Sequence, residues 1–75
     1  MTLQINGEAR ACEAREIAAL VAELGLPAPA VLVEHNGTAL RRDEWPGRPL
    51  SEGDRLEIIR IVAGGGGGRE MTNDE

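Results

Sequence analysis

The sequence predicts an α+β fold in which a mixed sheet of about five strands carries one main helix on one face. Three observations support this fold class. Two Asn-Gly pairs each separate short apolar segments, and this dipeptide favours the tight turn of a β-hairpin. One amphipathic helical segment lies between the two hairpins. A long β-branched segment follows the second hairpin.

The first half of the chain is predicted to form a hairpin and then the helix. Thr2 to Ile5 alternates polar and apolar residues, and Asn6-Gly7 turns the chain back into Glu8 to Cys12. Apolar residues then recur at helical spacing and form one stripe: Ile17, Leu20, Val21 and Leu24. Gly25 is placed to end this helix in a left-handed conformation, and Pro27 prevents its continuation.

The second half is predicted to add a hairpin, a helical turn and a final strand. Ala30 to His35 and Thr38 to Leu40 flank the second Asn-Gly pair, Arg42 to Trp45 forms the turn, and Arg55 to Val62 is the final strand. The resulting order is β-β-α-β-β-β. We expect the first and last strands to be parallel neighbours at the centre of the sheet, joined through the right-handed crossover that parallel connections require. This arrangement is a β-grasp, or ubiquitin-like, fold.

Composition excludes several classes of function. The 75 residues form one domain with a small aliphatic core, since aromatic residues are only 1% of the chain. The net charge is -5 and lysine is absent, so nucleic-acid binding is not expected. Cys12 is the sole cysteine, which rules out an intrachain disulfide and a cysteine metal cluster. With no apolar segment of membrane-spanning length, we expect a cytoplasmic protein that is monomeric when free.

The final strand predicts a contact surface for a partner protein. Alternation puts Leu56 and Ile58 on one face, with Glu57, Ile59 and Ile61 on the other. The charged Glu57 marks the second face as the exterior, where exposed apolar side chains indicate a contact site. The predicted partner-binding residues are Ile59, Ile61, Val62 and Ala63.

Three other residues that could carry chemistry are assigned structural roles. Trp45 is expected to pack over one end of the sheet, and Cys12 is expected to be a small buried hydrophobic residue. His35 precedes a turn and has no companion acid at a catalytic spacing, so we expect it to be solvated. Because no catalytic constellation is present, the chain is not expected to be an enzyme.

The glycine-rich C-terminus has several interpretations. We divide the chain into a β-grasp domain, residues 1–63, and a flexible tail, residues 64–75. Gly64 to Gly68 could be a linker to a disordered tail, but a phosphate-binding loop is disfavoured because no lysine or helix start follows it. The remaining interpretation is an arm whose backbone enters another protein.

The segment from Arg41 to Gly65 combines four features in a fixed order. They are an R-x-x-W turn at Arg42 to Trp45, the pair Gly53-Asp54, an apolar strand, and V-A-G-G at Val62 to Gly65. In these features the segment resembles the C-terminal half of the ThiS family of sulfur carrier proteins. The first hairpin, the helix and a cysteine at the end of the second strand also fit. The resemblance therefore covers Met1 to Gly65.

This resemblance implies a mechanism and its partners. An E1-like adenylyltransferase would use ATP to adenylate the terminal glycine carboxylate, which is then converted to a thiocarboxylate. Thiazole synthase would receive the sulfur for the thiazole ring of thiamine. By position, Gly65 would bear the sulfur and Gly64 would be threaded into the narrow channel, where a residue without Cβ avoids clashes. No cofactor would be bound by the carrier itself.

The chain departs from the family pattern after the diglycine. Family members normally end at this position, whereas Gly66 to Glu75 follow here. We therefore expect a peptidase to cleave after Gly65, with a later glycine up to Gly68 as the alternative. Two other functions stay open at this point. One is a sulfur carrier for molybdopterin or cysteine synthesis, and the other is an interaction module with a flexible tether and no covalent chemistry.

Overall fold

The computed structural model describes residues 1–61 together with the backbone of residues 69–71. The elements in chain order are β1 (Thr2–Ile5), β2 (Glu8–Ala11), α1 (Ile17–Glu23), β3 (Val31–His35), β4 (Thr38–Leu40), β5 (Arg55–Ile61) and β6 (Arg69–Met71). Short 3-10 turns at Ala28–Ala30 and Arg42–Glu44 lie between them. In this part of the chain, no helix has the length and apolar character needed to cross a membrane.

The strands form one mixed sheet in the order β2-β1-β5-β3-β4, with β6 also paired to β5. Strands β1 and β5 are parallel, with Gln4 opposite Arg55 and Ile5 opposite Leu56. The other strand pairs are antiparallel. The predicted central pair of first and last long strands is therefore confirmed, and the architecture is that of a β-grasp domain.

Both hairpin turns have the conformation that the two Asn-Gly pairs predict. Asn6 and Gly7 have φ angles of 52° and 85°, and Asn36 and Gly37 have φ angles of 50° and 88°. Two successive positive φ angles are the requirement of a type I′ turn. Asparagine and glycine tolerate this region better than other residues, so the sequence fixes where each hairpin turns.

The helix is held to the sheet by its apolar stripe. Ile17, Leu20 and Val21 are buried, and they join a core that also contains Leu3, Ile5, Cys12, Ala14, Val31, Val33, Leu40, Trp45, Leu50, Leu56 and Ile58. The helix stops at Glu23, with Gly25 following at φ 73°. Leu24, the last residue of the predicted stripe, forms the C-terminal cap and packs against the core while partly exposed.

The N-terminus of the helix is capped by a distant loop. Glu16 makes no side-chain cap there. Instead, the Ile17 amide donates to the Arg48 carbonyl at 3.0 Å, and the Ala18 amide donates to the Trp45 carbonyl at 3.4 Å. The Glu16 carboxylate in turn accepts a hydrogen bond from the Gly47 amide. Trp45 is buried as part of the core, and its predicted position over one end of the sheet stays a prediction.

His35 is buried, and the prediction of a solvated side chain was wrong. Alternation along β3 directs this ring into the core, where its two nitrogens lie 2.7 Å from Asp54 Oδ2 and 3.2 Å from Arg48 Nε. Arginine can only donate, so Nδ1 accepts from Arg48 and Nε2 carries the proton that is donated to Asp54. The cluster joins the end of β3 to the turn before β5.

The strand β6 is an addition to the predicted fold. The sequence assigned the whole of residues 64–75 to a flexible tail, but Arg69–Met71 pairs with β5. The physical reason is that β1 pairs with only the first two residues of β5. Beyond β1, the Asn6 side chain hydrogen-bonds to this edge at Ile58. The edge at Arg60 is therefore available to another extended segment.

Candidate functional site

The outer face of β3 and β5 carries the apolar side chains predicted on the final strand. Leu56 and Ile58 point into the core, whereas Ile61 is 38% exposed and Ile59 is half-buried. Leu32 on β3 lies opposite Ile59 and is 41% exposed. The outward orientation of Ile59 and Ile61 is therefore confirmed, and their role in binding a partner stays a prediction.

Leu32 is a residue of this face that the sequence analysis missed. The signal was present, because Val31, Leu32, Val33 and Glu34 alternate in the same way as the final strand does. With Val31 and Val33 buried, Leu32 and Glu34 must point outward. A shallow groove crosses this face and is lined by Leu32, Val33, Glu34, Ala39, Glu57 and Ile59.

Two carboxylates border the groove on the same pair of strands. Glu34 and Glu57 lie directly opposite each other in the β3–β5 register and are both exposed. Like charges at such positions repel, and neither carboxylate forms an ion pair within the described residues. The face is therefore an apolar patch with an acidic border, which suits a partner that presents apolar and basic side chains.

The predicted reactive arm begins where β5 ends. Ile61 is the last residue of β5, and Val62, Ala63, Gly64 and Gly65 lie outside the described residues. A fully extended chain covers at most about 3.6 Å per residue. The four residues after Ile61 therefore have a maximum length of roughly 14 Å.

Cys12 does not offer an alternative reactive group. Its side chain is buried, as predicted, and its thiol donates to the Arg10 carbonyl at 3.6 Å. Burial raises the pKa of the Cys12 thiol, and the nearby Glu23 carboxylate raises it further, whereas Arg10 and the N-terminal amine act weakly in the opposite direction. A thiol held protonated in this way is a poor nucleophile.

The other charged groups of the described residues include carboxylates that could serve as metal ligands. Arg41 pairs with Asp43 and Glu44 on the exposed surface after β4. Within residues 1–61, no group of three His, Cys, Asp or Glu side chains is arranged to hold a metal ion. In the part of the chain that the structure describes, the candidate functional features are the outer face of β3–β5 and the end of β5 at Ile61, where the predicted arm starts.

The fold and these features define a class of protein. It is a β-grasp domain with an exposed apolar sheet face, and a glycine-containing segment follows its strand β5 in the sequence. The chain also matches the model of the ThiS family over residues 3–65. This match covers most of the 75 residues. The chain therefore belongs to the ThiS family.

Individual relatives agree with this assignment. The chain is 34% identical over 61 residues to the sulfur carrier protein ThiS of Thermus thermophilus, covering 81% of this chain and 95% of that protein. The crystal structure of the thiamine biosynthesis protein ThiS from Geobacter metallireducens superposes with a TM-score of 0.74 at 28% identity, over 87% of this chain and all of that one. This similarity confirms the β-grasp fold.

A third relative is a longer protein. The chain is 36% identical over 66 residues to the thiazole synthase of Paramagnetospirillum magneticum. That alignment covers 87% of this chain but only 20% of the relative. A segment resembling this β-grasp domain is therefore part of a protein named as a thiazole synthase.

Proposed function

We propose that this protein is the sulfur carrier of thiamine thiazole synthesis and that the carboxylate of Gly65 carries the sulfur. The observation that supports this most directly is the extent of the family match, which ends at Gly65. Gly65 lies four residues beyond the end of the central strand β5. The relative named as a sulfur carrier supports the same assignment. The protein acts as a co-substrate of other enzymes, and its own side chains supply no catalytic group.

The chemistry requires an activated backbone carboxylate. A carboxylate oxygen of Gly65 attacks the α-phosphate of ATP in an E1-like adenylyltransferase, and pyrophosphate leaves. Hydrosulfide supplied by the sulfur donor then attacks the acyl carbon, AMP leaves, and the resulting thioacid loses its proton to give the thiocarboxylate. ATP is thus used by the partner enzyme and is not a bound cofactor of the carrier. Gly64 and Gly65 let the extended arm enter the active site without a Cβ clash.

A free carboxylate at Gly65 requires removal of the residues that follow it. We propose hydrolysis of the Gly65–Gly66 peptide bond by a peptidase, with a later glycine up to Gly68 as the alternative site. Before this cleavage, the carbonyl of Gly65 is an amide and cannot be adenylated. The unprocessed chain is therefore an inactive precursor.

The outer face of β3–β5 is proposed to dock the two enzymes that act on the arm. Leu32, Ile59 and Ile61 supply the apolar surface, and Val62 and Ala63 would enter the partner with the arm. Thiazole synthase is supported as one partner by the relative that contains a similar segment within a protein of that name. Since both enzymes need access to the same arm, they would use this surface in turn.

The test is a reconstitution with a chain that ends at Gly65. Incubation with ATP, the E1-like adenylyltransferase and a sulfur donor should produce a mass increase equal to the replacement of one oxygen by sulfur. A matched chain that ends at Gly64 should react much more slowly. If the chain that ends at Gly65 stays unmodified while a known ThiS protein reacts in the same mixture, the proposed function is wrong.

A further inference from the structure

One edge of β5 is filled by three successive partners along its length. The amide of Asn6, just after β1, donates to the Leu56 carbonyl at 2.8 Å. The Asn6 side chain then accepts from the Ile58 amide at 2.8 Å and donates to the Ile58 carbonyl at 3.2 Å. The Asn6 side chain therefore makes with Ile58 the two hydrogen bonds that the backbone of one more β1 residue would make.

The next position on this edge is Arg60. In a strand, the backbone groups of alternate residues point the same way, so the N–H and C=O of Arg60 follow those of Leu56 and Ile58. The register places Glu70 of β6 opposite Arg60. Arg60 and Glu70 therefore form a hydrogen-bonded pair between β5 and β6. Strand β6 thus begins to pair with β5 directly after the residues that pair with β1 and Asn6.

We propose that the edge of β5 at Arg60 is a strand-addition site, and that β6 occupies it in competition with an extended backbone segment of a partner protein. An unpaired strand edge recruits such segments through main-chain hydrogen bonds. The strand β6 is tethered to β5 by only seven residues, 62–68, which gives it a high effective concentration. Because β6 is only three residues long, a partner could displace it.

This pairing also restrains the arm, an inference that depends on the proposed function. Ile61 and Arg69 are register partners, so the two ends of the intervening segment lie side by side. Paired strands are about 4.8 Å apart, and a channel wide enough for one extended backbone does not admit two. The tail is therefore autoinhibitory, because the arm can be threaded only after β6 is released. Cleavage after Gly65 would separate the arm from β6.

Hydrogen exchange at single amides tests the pairing. The Arg60 amide should exchange about tenfold faster in a chain that ends at Gly65 and in a full-length Glu70→Pro variant than in the full-length chain. Proline at 70 removes the N–H that pairs with Arg60. Met71→Pro is the matched control, because the N–H of Met71 faces away from β5 in this register. The Ile59 amide, which faces β3, should be unaffected. Equal Arg60 exchange in the full-length chain and the Glu70→Pro variant would overturn the proposal.

Binding to the E1-like adenylyltransferase tests the competition. Full-length Glu70→Pro should bind more tightly than the full-length chain and the Met71→Pro control, although all three keep the same number of tail residues. Equal binding of these three chains would show that strand pairing does not compete with the partner. A chain that ends at Gly65 and binds but is not adenylated would instead reject the sulfur-carrier function, while leaving the inference about β6 standing.

Discussion

At the scale of single residues, the cluster of His35, Asp54 and Arg48 shows how a polar side chain is accommodated in a small core. Partial burial acts to raise the pKa of Asp54, but hydrogen bonds from His35, the Ser51 amide and the Asn36 side chain outweigh it. The pKa of Asp54 is therefore held below its ordinary value of 3.8. The cluster stabilises the junction between β3 and β5 as long as the carboxylate is ionised.

This cluster predicts a specific loss of stability in acid. Because the pKa of Asp54 is lower in the folded state, the unfolded chain takes up the proton first as the pH falls. The stabilisation is complete above the ordinary pKa and is lost as the pH falls from there through the folded-state pKa. Urea unfolding at a series of pH values should show a shallower acid decline in the free energy of unfolding for Asp54→Asn than for the wild type.

The control for this measurement is Asp43→Asn. The Asp43 side chain is 76% exposed and pairs only with the equally exposed Arg41 within the described residues. Exposed pairs of this kind contribute little to stability. We expect Asp43→Asn to follow the wild-type curve. An acid decline in Asp54→Asn as steep as that of the wild type would show that Asp54 does not contribute in this way.

The choice of Gly65 as the reactive end gives a second prediction at the residue scale. In a chain that ends at position 65, Gly65→Ala adds a Cβ at the reacting residue, and overpacking of a close-fitting site costs about 1–3 kcal/mol. Thiocarboxylate formation, followed by intact mass, should slow by about tenfold or more. Gly67→Ala is the control in the full-length chain expressed in its own host, where the tail can be removed, and it should leave both cleavage and sulfur loading unchanged. Unimpaired loading of Gly65→Ala would show that the partner site does not require a residue without Cβ at the reacting position.

At the scale of elements, the helix depends on a loop that is distant in the sequence. Trp45 is 3% exposed, and its backbone carbonyl helps to cap the helix. Trp45→Ala should lower the free energy of unfolding by about 3–5 kcal/mol. Trp45→Phe keeps an aromatic ring in the same place and should lose less. Urea denaturation measures both values, and equal losses for the two variants would show that the ring is not what holds the junction.

A substitution on the outer face of β3–β5 should weaken partner binding while leaving the free energy of unfolding nearly unchanged. Leu32 is exposed in the isolated protein, so Leu32→Ser should change the free energy of unfolding by less than about 0.5 kcal/mol. If this face docks the adenylyltransferase, the same change should weaken binding by about 1–3 kcal/mol. Calorimetric titration measures the binding. Ala11→Ser, exposed on β2 away from the β3–β5 pair, should bind as the wild type does. Unchanged binding of Leu32→Ser would exclude this face as the docking surface.

Local patterns predicted most of the elements, and contacts between distant residues decided the rest. The two Asn-Gly turns and the stripe of α1 are local signals, so both hairpins and the helix followed from the sequence. The burial of His35 depends on Asp54, which is 19 positions away, and the cap of α1 comes from the loop at Trp45 to Arg48. No local pattern shows such partners.

At the scale of the whole molecule, the central parallel pair of strands was predictable but the sixth strand was not. The parallel pairing of β1 with β5 follows from the element order and the handedness of crossovers. Pairing of Arg69–Met71 depends on where β1 stops alongside β5, which is a property of the assembled sheet. For the candidate site, alternation predicted the outward direction of Ile59 and Ile61. The role proposed for Gly65 comes from the family pattern, because Gly65 lies outside the described residues.

The most direct measurement is tandem mass spectrometry of the protein isolated from its own host under thiamine limitation. We predict a chain that ends at Gly65 and carries sulfur in place of one oxygen of its terminal carboxyl group. Isolation of only the complete chain, with Glu75 intact and no sulfur added, would contradict the assignment of the Gly65 carboxyl group as the reactive part of this molecule.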